Sequence, residues 1–274
     1  GFFLDGPTQP FMRPNGYNDK CRALYREETG KELPKGDDDP DAFAFRRWAN
    51  RHMEAYLEQT CCSLAAVKRD VVVFYNGAWM FRYPVNPPSY YRFVEWDTAV
   101  PEEGLYSSNY SLEGRYLSTV PGIAWSCMEI DAFSWGDYSL REREAFLHEN
   151  ALLLAAGGRT YLSDNPYPSG NMEPNLMQIF GEVNRRTEAL EPWLKGCQPV
   201  KDVAVLHSGE AIWSRTPYDP IPGWRPGPAY QPIVGAHKTL TEGHVQMSIV
   251  NSQTFCESLG EYRAAVLANQ RILD

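Results

Sequence analysis

Short runs of hydrophobic residues alternate along this chain with longer segments in which hydrophobic and polar residues follow a helical period. The first apolar run is Phe2-Phe3-Leu4, and similar runs lie at 71–75, 122–128 and 160–162. A short strand that ends in acidic and aromatic residues is also predicted at 92–97. Continuous apolar runs are typical of strands that a parallel sheet buries on both faces. Three- and four-residue spacing of apolar residues predicts helices at about 18–30, 41–62, 107–119, 140–156 and 174–190. This order of strand, loop and helix predicts an α/β fold.

Glycine and proline mark where two of these helices should stop. Gly30, with Pro34 close behind it, ends the first predicted helix, and Gly157-Gly158 ends the helix that begins near Leu140. Glycine tolerates the left-handed backbone conformation that commonly follows a helix. We therefore expect a glycine C-cap at both places.

Strands spaced about 30 to 50 residues apart and joined by long loops favour a (β/α)8 barrel over a doubly wound sheet. No G-x-G-x-x-G and no G-x-x-x-x-G-K-[ST] sequence occurs, so neither a dinucleotide-binding motif nor a P-loop is predicted. The pattern restarts near Pro199, with strands predicted at 203–206, 245–250 and 262–268 and a helix at about 236–243. We therefore expect a barrel domain over 1–198 and a βαβ domain over 199–274.

The composition limits the partners and cofactors of the chain. Its net charge is −9 and its basic residues form no long run, which argues against nucleic acid as a partner. The six cysteines contain no C-x-x-C spacing, so neither a zinc site nor a disulfide framework is expected, and no metal or cofactor is predicted. No apolar run reaches 18 residues, so no membrane span is predicted. The 8 Trp and 16 Tyr suit sugar rings as well as a core.

Carboxylates follow or end several predicted strands, where parallel α/β folds place their chemistry. The acids at these positions are Asp5, Glu95, Asp97, Glu129, Asp131 and Asp164. Glycoside hydrolysis needs two such carboxylates, one near the anomeric carbon and one that protonates the leaving oxygen. Trp96 would help Glu95 to keep its proton by desolvating it. The alternative for any single acid is a structural role, either at a helix cap or paired with arginine.

Other hydrolytic chemistries have less support in the sequence. A serine nucleophile elbow would need G-x-S-x-G, which is absent. The histidines show no H-E-x-x-H spacing, and an amidohydrolase-like barrel would need histidine ligands at strand ends, where the sequence offers none. A non-catalytic carbohydrate-binding or degenerate barrel stays open as the alternative to an enzyme.

Several segments, in order and spacing, resemble the α-L-fucosidase-like glycoside hydrolases, meaning family 29 and a related hypothetical glycosyl hydrolase group. In that group the barrel is followed by a flavodoxin-like domain similar to the β-galactosidase trimerisation domain. The matching segments are Phe3-Leu4-Asp5-Gly6, Phe93-Val94-Glu95-Trp96, Ser134-Trp135-Gly136-Asp137-Tyr138, Leu147-His148-Glu149 with the glycines after it, and Glu188-Ala189-Leu190-Glu191-Pro192-Trp193.

The resemblance implies roles for individual residues. Asp5 would be the nucleophile of a retaining mechanism, Glu95 the acid/base, and Glu129 the reserve for the acid/base. Contacts to the sugar are expected from Asn76, Trp96, Trp135 and Asp164. The implied enzyme is an exo-acting, fucosidase-like O-glycosyl hydrolase of carbohydrate metabolism.

The resemblance also implies that the chain is the C-terminal part of a (β/α)8 barrel followed by a partial flavodoxin-like domain. The first three strands of the barrel would precede Gly1, which leaves open whether the chain shown is active alone. The C-terminal domain would allow assembly into a trimer or dimer. The absence of a signal peptide slightly favours a cytoplasmic location, but the missing N-terminus leaves the compartment open.

Overall fold

The computed structural model describes residues 1–4, 18–36, 38–75, 86–87, 93–97, 106–130, 138–214 and 230–270. Within these ranges the chain forms helices and strands in the predicted alternation. The helices are α1 (Asp19–Thr29), α2 (Ala42–Val67), α3 (Tyr106–Leu117), α4 (Arg143–Ala155), α5 (Pro174–Leu194), α6 (Gly209–Trp213), α7 (Gln231–Glu242) and α8 (Ser252–Ser258). The strands are β1 (Phe2–Leu4), β2 (Val73–Tyr75), β3 (Phe93–Asp97), β4 (Ala124–Ile130), β5 (Arg159–Ser163), β6 (Val203–Leu206), β7 (Met247–Val250) and β8 (Ala264–Val266).

All strand pairs in these ranges are parallel, which confirms the predicted α/β class. β1 pairs with β2, and β3, β4 and β5 form a second sheet in chain order. β2 lies beside β3, and the rings of Phe74 and Phe93 meet there edge to face with centroids 5.1 Å apart. The last three strands form a third sheet in the order β7-β6-β8. A short helix, α8, lies between β7 and β8 where the sequence had indicated only a connection.

The predicted helix ends are confirmed at both glycines. Asn18 accepts a hydrogen bond from the Cys21 amide at the start of α1, and Gly30 ends that helix with φ +70°. After α4, Gly157 has φ +82°, and the Gly158 amide donates to the Leu153 carbonyl. Helix α2 runs to Val67, five residues past the predicted end, because Leu64-Ala65-Ala66 continues with residues of high helix propensity.

Close contact between helices and sheet depends on two glycines. A Cβ at Gly158 would lie 2.5 Å from the Trp125 ring, and one at Gly114 would lie 2.9 Å from the Ala156 Cβ. Trp125 on β4 fills the space that these glycines leave and is buried there. Helices α3 and α4 consequently lie close against one face of the sheet formed by β3, β4 and β5.

Helix α3 also contacts the C-terminal sheet. The amides of Val203 and His207 donate hydrogen bonds to the carbonyls of Gln246 and Val250. Because carbonyls alternate in direction along a strand, those of Met247 and Ile249 point to the outer edge of β7. The Arg115 guanidinium donates to the Met247 carbonyl at 2.9 Å, and the Thr119 hydroxyl lies 2.8 Å from the Ile249 carbonyl oxygen. Side chains of α3 and the residues just after it thus donate hydrogen bonds to backbone carbonyls that the edge strand of the third sheet would otherwise leave unpaired.

One hydrophobic cluster joins the second sheet to the third. It includes Val94 and Trp125 from the second sheet and Val205 and Ile249 from the third. Smaller clusters lie between α1 and α2, around Tyr25 and Trp48, and between α4 and α5, around Phe146 and Phe180. A single core therefore connects the second and third sheets, and the two smaller clusters pack helix against helix.

Candidate active site

The sheet formed by β3, β4 and β5 has two chemically different faces. Val94 pairs in register with Trp125, and both belong to the core beneath the helices. Thr160 on β5 accepts a hydrogen bond from the Asn150 amide of α4, so its side chain also points to the helices. We call this side the helix face. Because side chains alternate along a strand, the residues between these positions occupy the opposite face.

Glu95 lies on that opposite face, which we call the Glu95 face. In register across the sheet, Glu95 pairs with Ser126 and Ser126 pairs with Arg159. Glu95 is only 1% exposed, and Ser126 is also buried. The Arg159 guanidinium carbon lies 5.9 Å from the centroid of the Phe93 ring, which places Phe93 on the same face. The face therefore combines a buried carboxyl group with an aromatic ring, a hydroxyl and a guanidinium.

Glu129 is oriented in the other direction. It follows Ser126 by three residues on β4, and strand alternation places it on the helix face. Its surroundings there are the buried ion pair between Arg141 and Glu149 and the amide of Asn150. Arg141 also stacks over the Phe146 ring, with its guanidinium carbon 5.2 Å from the ring centroid. The reserve acid/base thus lies within a polar cluster between strand and helices.

Burial and charge act together on this cluster. Burial, and next the negative charge of Glu149, raise the pKa of Glu129 well above its usual 4.5. Neither Glu129 oxygen meets hydrogen-bond geometry with any described group, although the nearby Asn150 amide and Arg141 oppose the rise in pKa. Burial also raises the pKa of Glu149, against the opposing effect of Arg141. Since Arg141 pairs with Glu149, we infer that Glu129 is the glutamate that carries the proton.

Cys127, between Trp125 and Glu129 on the helix face, is fully buried. Burial raises the pKa of its thiol well above 9.0, and the charges of Glu113 and Glu95 add to the rise. A thiol in this state is neutral and a poor nucleophile. The cysteine therefore belongs to the packing of the sheet.

Asp164 lies in the segment that follows β5. One of its carboxylate oxygens accepts a hydrogen bond from the Glu173 amide at 3.3 Å. Glu173 in turn is the N-cap of α5, where its side chain accepts from the Asn175 amide. Asp164 therefore supports the start of a helix, which is the structural role that the sequence left open beside sugar binding.

The other candidate residues are covered only in part. Asp5, Asn76 and Trp135 lie outside the described residues, and only the backbone of Trp96 is described, paired with Cys127. Among the described residues no group of three or more His, Cys, Asp and Glu could hold a metal ion. No helix in those same ranges is long and apolar enough to span a membrane.

Three residues in the segments after β4 and β5 make contacts that the sequence did not predict. Arg141 is buried against Glu149, a pairing that its polar sequence context did not indicate. Tyr138 and Tyr167 stack on each other with ring centroids 5.5 Å apart. Tyr138 closes one of the motif segments, and Tyr167 lies in a turn sequence rich in Pro, Ser and Gly. The proximity of these two tyrosines could not be inferred from either segment alone.

Comparison with known proteins places this arrangement among glycosidase folds. No protein-family model and no curated protein sequence matches the chain. Its solved structural neighbours include α-L-fucosidase isoenzyme 2 from Paenibacillus thiaminolyticus, with a TM-score of 0.74 and 20% identity over 97% of this chain. A β-galactosidase from Bacillus circulans sp. alkalophilus matches 82% of the chain with a TM-score of 0.63 and 13% identity. Gan42B, a GH42 β-galactosidase, matches 94% with a TM-score of 0.59 and 10% identity.

The chain spans 37%, 35% and 44% of the lengths of these three proteins, in the same order. Identities of 20% or less establish a shared fold and nothing finer. The resemblance to fucosidase-like glycoside hydrolases, drawn from short motifs, is confirmed at this level. The described architecture shares its fold with part of each of these three proteins.

Proposed function

We propose that this chain is the C-terminal part of a retaining, exo-acting glycoside hydrolase of the fucosidase-like type. The observation that carries the proposal is Glu95, a buried carboxyl group on the sheet face that points away from the helices. In a barrel that face lines the interior and leads to the catalytic end. The glycosidase folds of the structural neighbours support the same assignment.

The proposed architecture is a (β/α)8 barrel over 1–198 followed by a partial flavodoxin-like domain over 199–274. Consecutive parallel strands in chain order, with β2 beside β3, support a barrel rather than a doubly wound sheet. The order β7-β6-β8, with the first strand in the centre, supports a flavodoxin-like domain. Assembly into a trimer or dimer through this second domain is part of the proposal.

In the proposed mechanism Asp5 attacks the anomeric carbon while Glu95 protonates the departing oxygen. The C–O bond breaks and an ester forms between the sugar and the Asp5 carboxylate. Glu95, now ionised, then takes a proton from water, whose oxygen displaces Asp5 with a second inversion.

Glu95 is preferred over Glu129 as the acid/base. Glu129 lies on the helix face, next to the Arg141–Glu149 pair. A substrate could reach it only by displacing α3 or α4. Asn76, Trp96, Trp135 and Asp164 are proposed as sugar contacts around Asp5 and Glu95, with galactose and fucose as the first sugars to test.

The test uses the longest natural polypeptide that contains this chain, assayed with a panel of p-nitrophenyl glycosides. The proposal expects hydrolysis of at least one glycoside and its loss in Asp5→Asn. The exposed Asp70→Asn, which loses only a surface ion pair with Lys68, is the matched control and should retain activity. Equal rates for wild type and Asp5→Asn would exclude the nucleophile role. Saturable sugar binding with no turnover would instead identify a non-catalytic carbohydrate-binding barrel.

A further inference from the structure

A buried histidine lies where helix α3 meets helix α7 and the C-terminal sheet. His237 on α7 is 3% exposed, and its Nε2 lies 3.0 Å from the Ser111 hydroxyl oxygen of α3. The Arg115 Nε donates to the same hydroxyl at 3.3 Å, and its Nη1 donates to the Met247 carbonyl of β7. Ser111 and Arg115 are four residues apart, so they share one face of α3. His237 is therefore enclosed by the contact between that face and the C-terminal sheet.

The hydrogen bonds around His237 suit its neutral form. Imidazole carries one N–H group when it is neutral and two when it is protonated. Within the described residues, Nε2 has the Ser111 hydroxyl as its partner and Nδ1 has none. In the protonated ring the Nδ1–H group would be buried without an acceptor, which costs free energy. The added charge would also lie near the Arg115 guanidinium, which repels it.

Acid therefore opposes this contact. Burial, and next the charge of Arg115, lower the pKa of His237 from 6.5 to about 4. When α7 leaves α3 and water reaches the ring, the pKa returns to its usual value, so the separated state binds the proton more tightly. The stability of the contact is complete above pH 6.5 and is lost as the pH falls from 6.5 towards 4.

The elements packed against α7 place few other charges near the ring. Strands β6 and β7 carry no titratable side chain. The remaining charge on α3 is Glu113, which is buried and acts on the Cys127 thiol of β4. On α7 itself, Lys238 and Glu242 pair at the surface. His207, after β6, is buried with its ring against two tyrosines, so its protonation is the competing cause of any acid response.

The contact matters because few polar groups attach the C-terminal sheet to the rest of the chain. Arg115 and Thr119 bind backbone carbonyls of β7. The Asn251 amide, after β7, donates to Asn86 in the segment between β2 and β3 at 2.8 Å. Among these contacts and that of His237, only the histidine has a usual pKa between pH 5 and 8. A proton on this ring therefore acts at the attachment itself.

We propose that His237 makes the attachment of the C-terminal sheet to α3 sensitive to acid. Neutral His237 keeps α7 against α3, and its protonation releases α7 and β7 from that helix. The inference is independent of the glycosidase function, since it concerns the contact between two parts of the chain.

Hydrogen–deuterium exchange of the longest natural polypeptide, followed by mass spectrometry, measures this release. The reporting peptides cover 231–250, and each exchange rate is divided by the intrinsic rate of an unstructured peptide at the same pH. With a pKa of 6.5 in the released state and about 4 in the attached state, opening should rise roughly thirtyfold between pH 7.5 and pH 5. Peptides from β4 and α4 should show no such rise.

Two variants assign the response to this histidine. His237→Gln keeps an amide within reach of Ser111 and cannot gain a proton, so its opening should change less than about threefold over the same pH range. His148→Gln replaces an exposed histidine of α4 and should keep the wild-type response. A full acid response in His237→Gln, or none in wild type, would overturn the proposal.

A second measurement needs no variant. The imidazole Cε1 proton exchanges slowly with deuterium at a rate that depends on ring protonation, and mass spectrometry of the peptide that contains His237 reports the midpoint. The proposal requires a midpoint well below 6.5. A midpoint near 6.5 would show that the attached state accepts the proton without loss, and it would overturn the proposal.

Discussion

Glu95 and Glu129 are buried to the same degree on neighbouring strands, and their environments differ completely. Glu95 is 1% exposed on the face opposite the helices, in register with Ser126 and Arg159. Glu129 is fully buried on the helix face, beside an arginine that already pairs with Glu149. Burial alone therefore does not distinguish a catalytic acid from a structural one. The face of the sheet on which each carboxyl group lies makes that distinction.

The largest effect should come from replacing each glutamate by glutamine and measuring hydrolysis. Glu95→Gln removes the proton donor and should lower kcat/KM by roughly 10²- to 10⁴-fold for a poor leaving group. Glu129→Gln keeps a neutral side chain of the same shape and should change it less than about threefold, as expected for a site without substrate contact. Urea unfolding of both variants checks that they fold. The opposite ranking would assign the catalytic role to the helix face.

The next largest effect concerns the stability of the Glu129 cluster. Arg141→Met keeps the packing on Phe146 but leaves Glu149 buried without its counter-charge, which should cost about 3–5 kcal/mol of unfolding free energy. Arg143→Met is the matched control two residues away. Arg143 pairs with Glu144 and Glu182 at the surface, so its loss should cost no more than about 1 kcal/mol. Similar urea midpoints for the two variants would contradict a buried ion pair.

The smallest effect is a pH dependence of stability. The pKa of Glu129 is raised in the folded protein above its usual 4.5, so folding favours its protonated form. This contribution is complete below pH 4.5 and is lost as the pH rises through the folded pKa. Glu129→Gln cannot ionise, so its stability relative to wild type should increase as the pH rises above 4.5.

Thermal unfolding from pH 4 to pH 9 measures this difference. The exposed Glu188→Gln variant controls for the loss of a carboxyl group as such. A constant difference between Glu129→Gln and wild type across the range would show that Glu129 is already ionised or solvated in the folded state.

Local signals in the sequence predicted much of the fold. Apolar runs located the strands, and Gly30 and Gly157 marked helix ends through a backbone conformation that the neighbouring residues alone determine. Helix α8 was missed because its seven residues, with none buried, show no apolar period.

The candidate site was harder to predict, because it depends on non-local register. Glu95 was recognised as an acid on a strand, but its pairing with Ser126 is fixed by contacts between strands whose paired residues lie 31 positions apart in sequence. The helix-face position of Glu129 follows from its three-residue separation from Ser126 only once that register is known. The two stacked tyrosines meet across segments that follow different strands, and no local pattern encodes such a contact.

Chemical rescue of Glu95→Ala tests the central claim most directly. The substrate is the dinitrophenyl glycoside of whichever sugar wild type cleaves. Its leaving group needs no proton, so the glycosyl-enzyme forms and then accumulates because no general base activates water. Azide needs no deprotonation and should accelerate turnover of Glu95→Ala, giving a glycosyl azide with the substrate's own anomeric configuration. No acceleration in Glu95→Ala, with azide rescue of Glu129→Ala instead, would contradict the assignment of the acid/base to the Glu95 face.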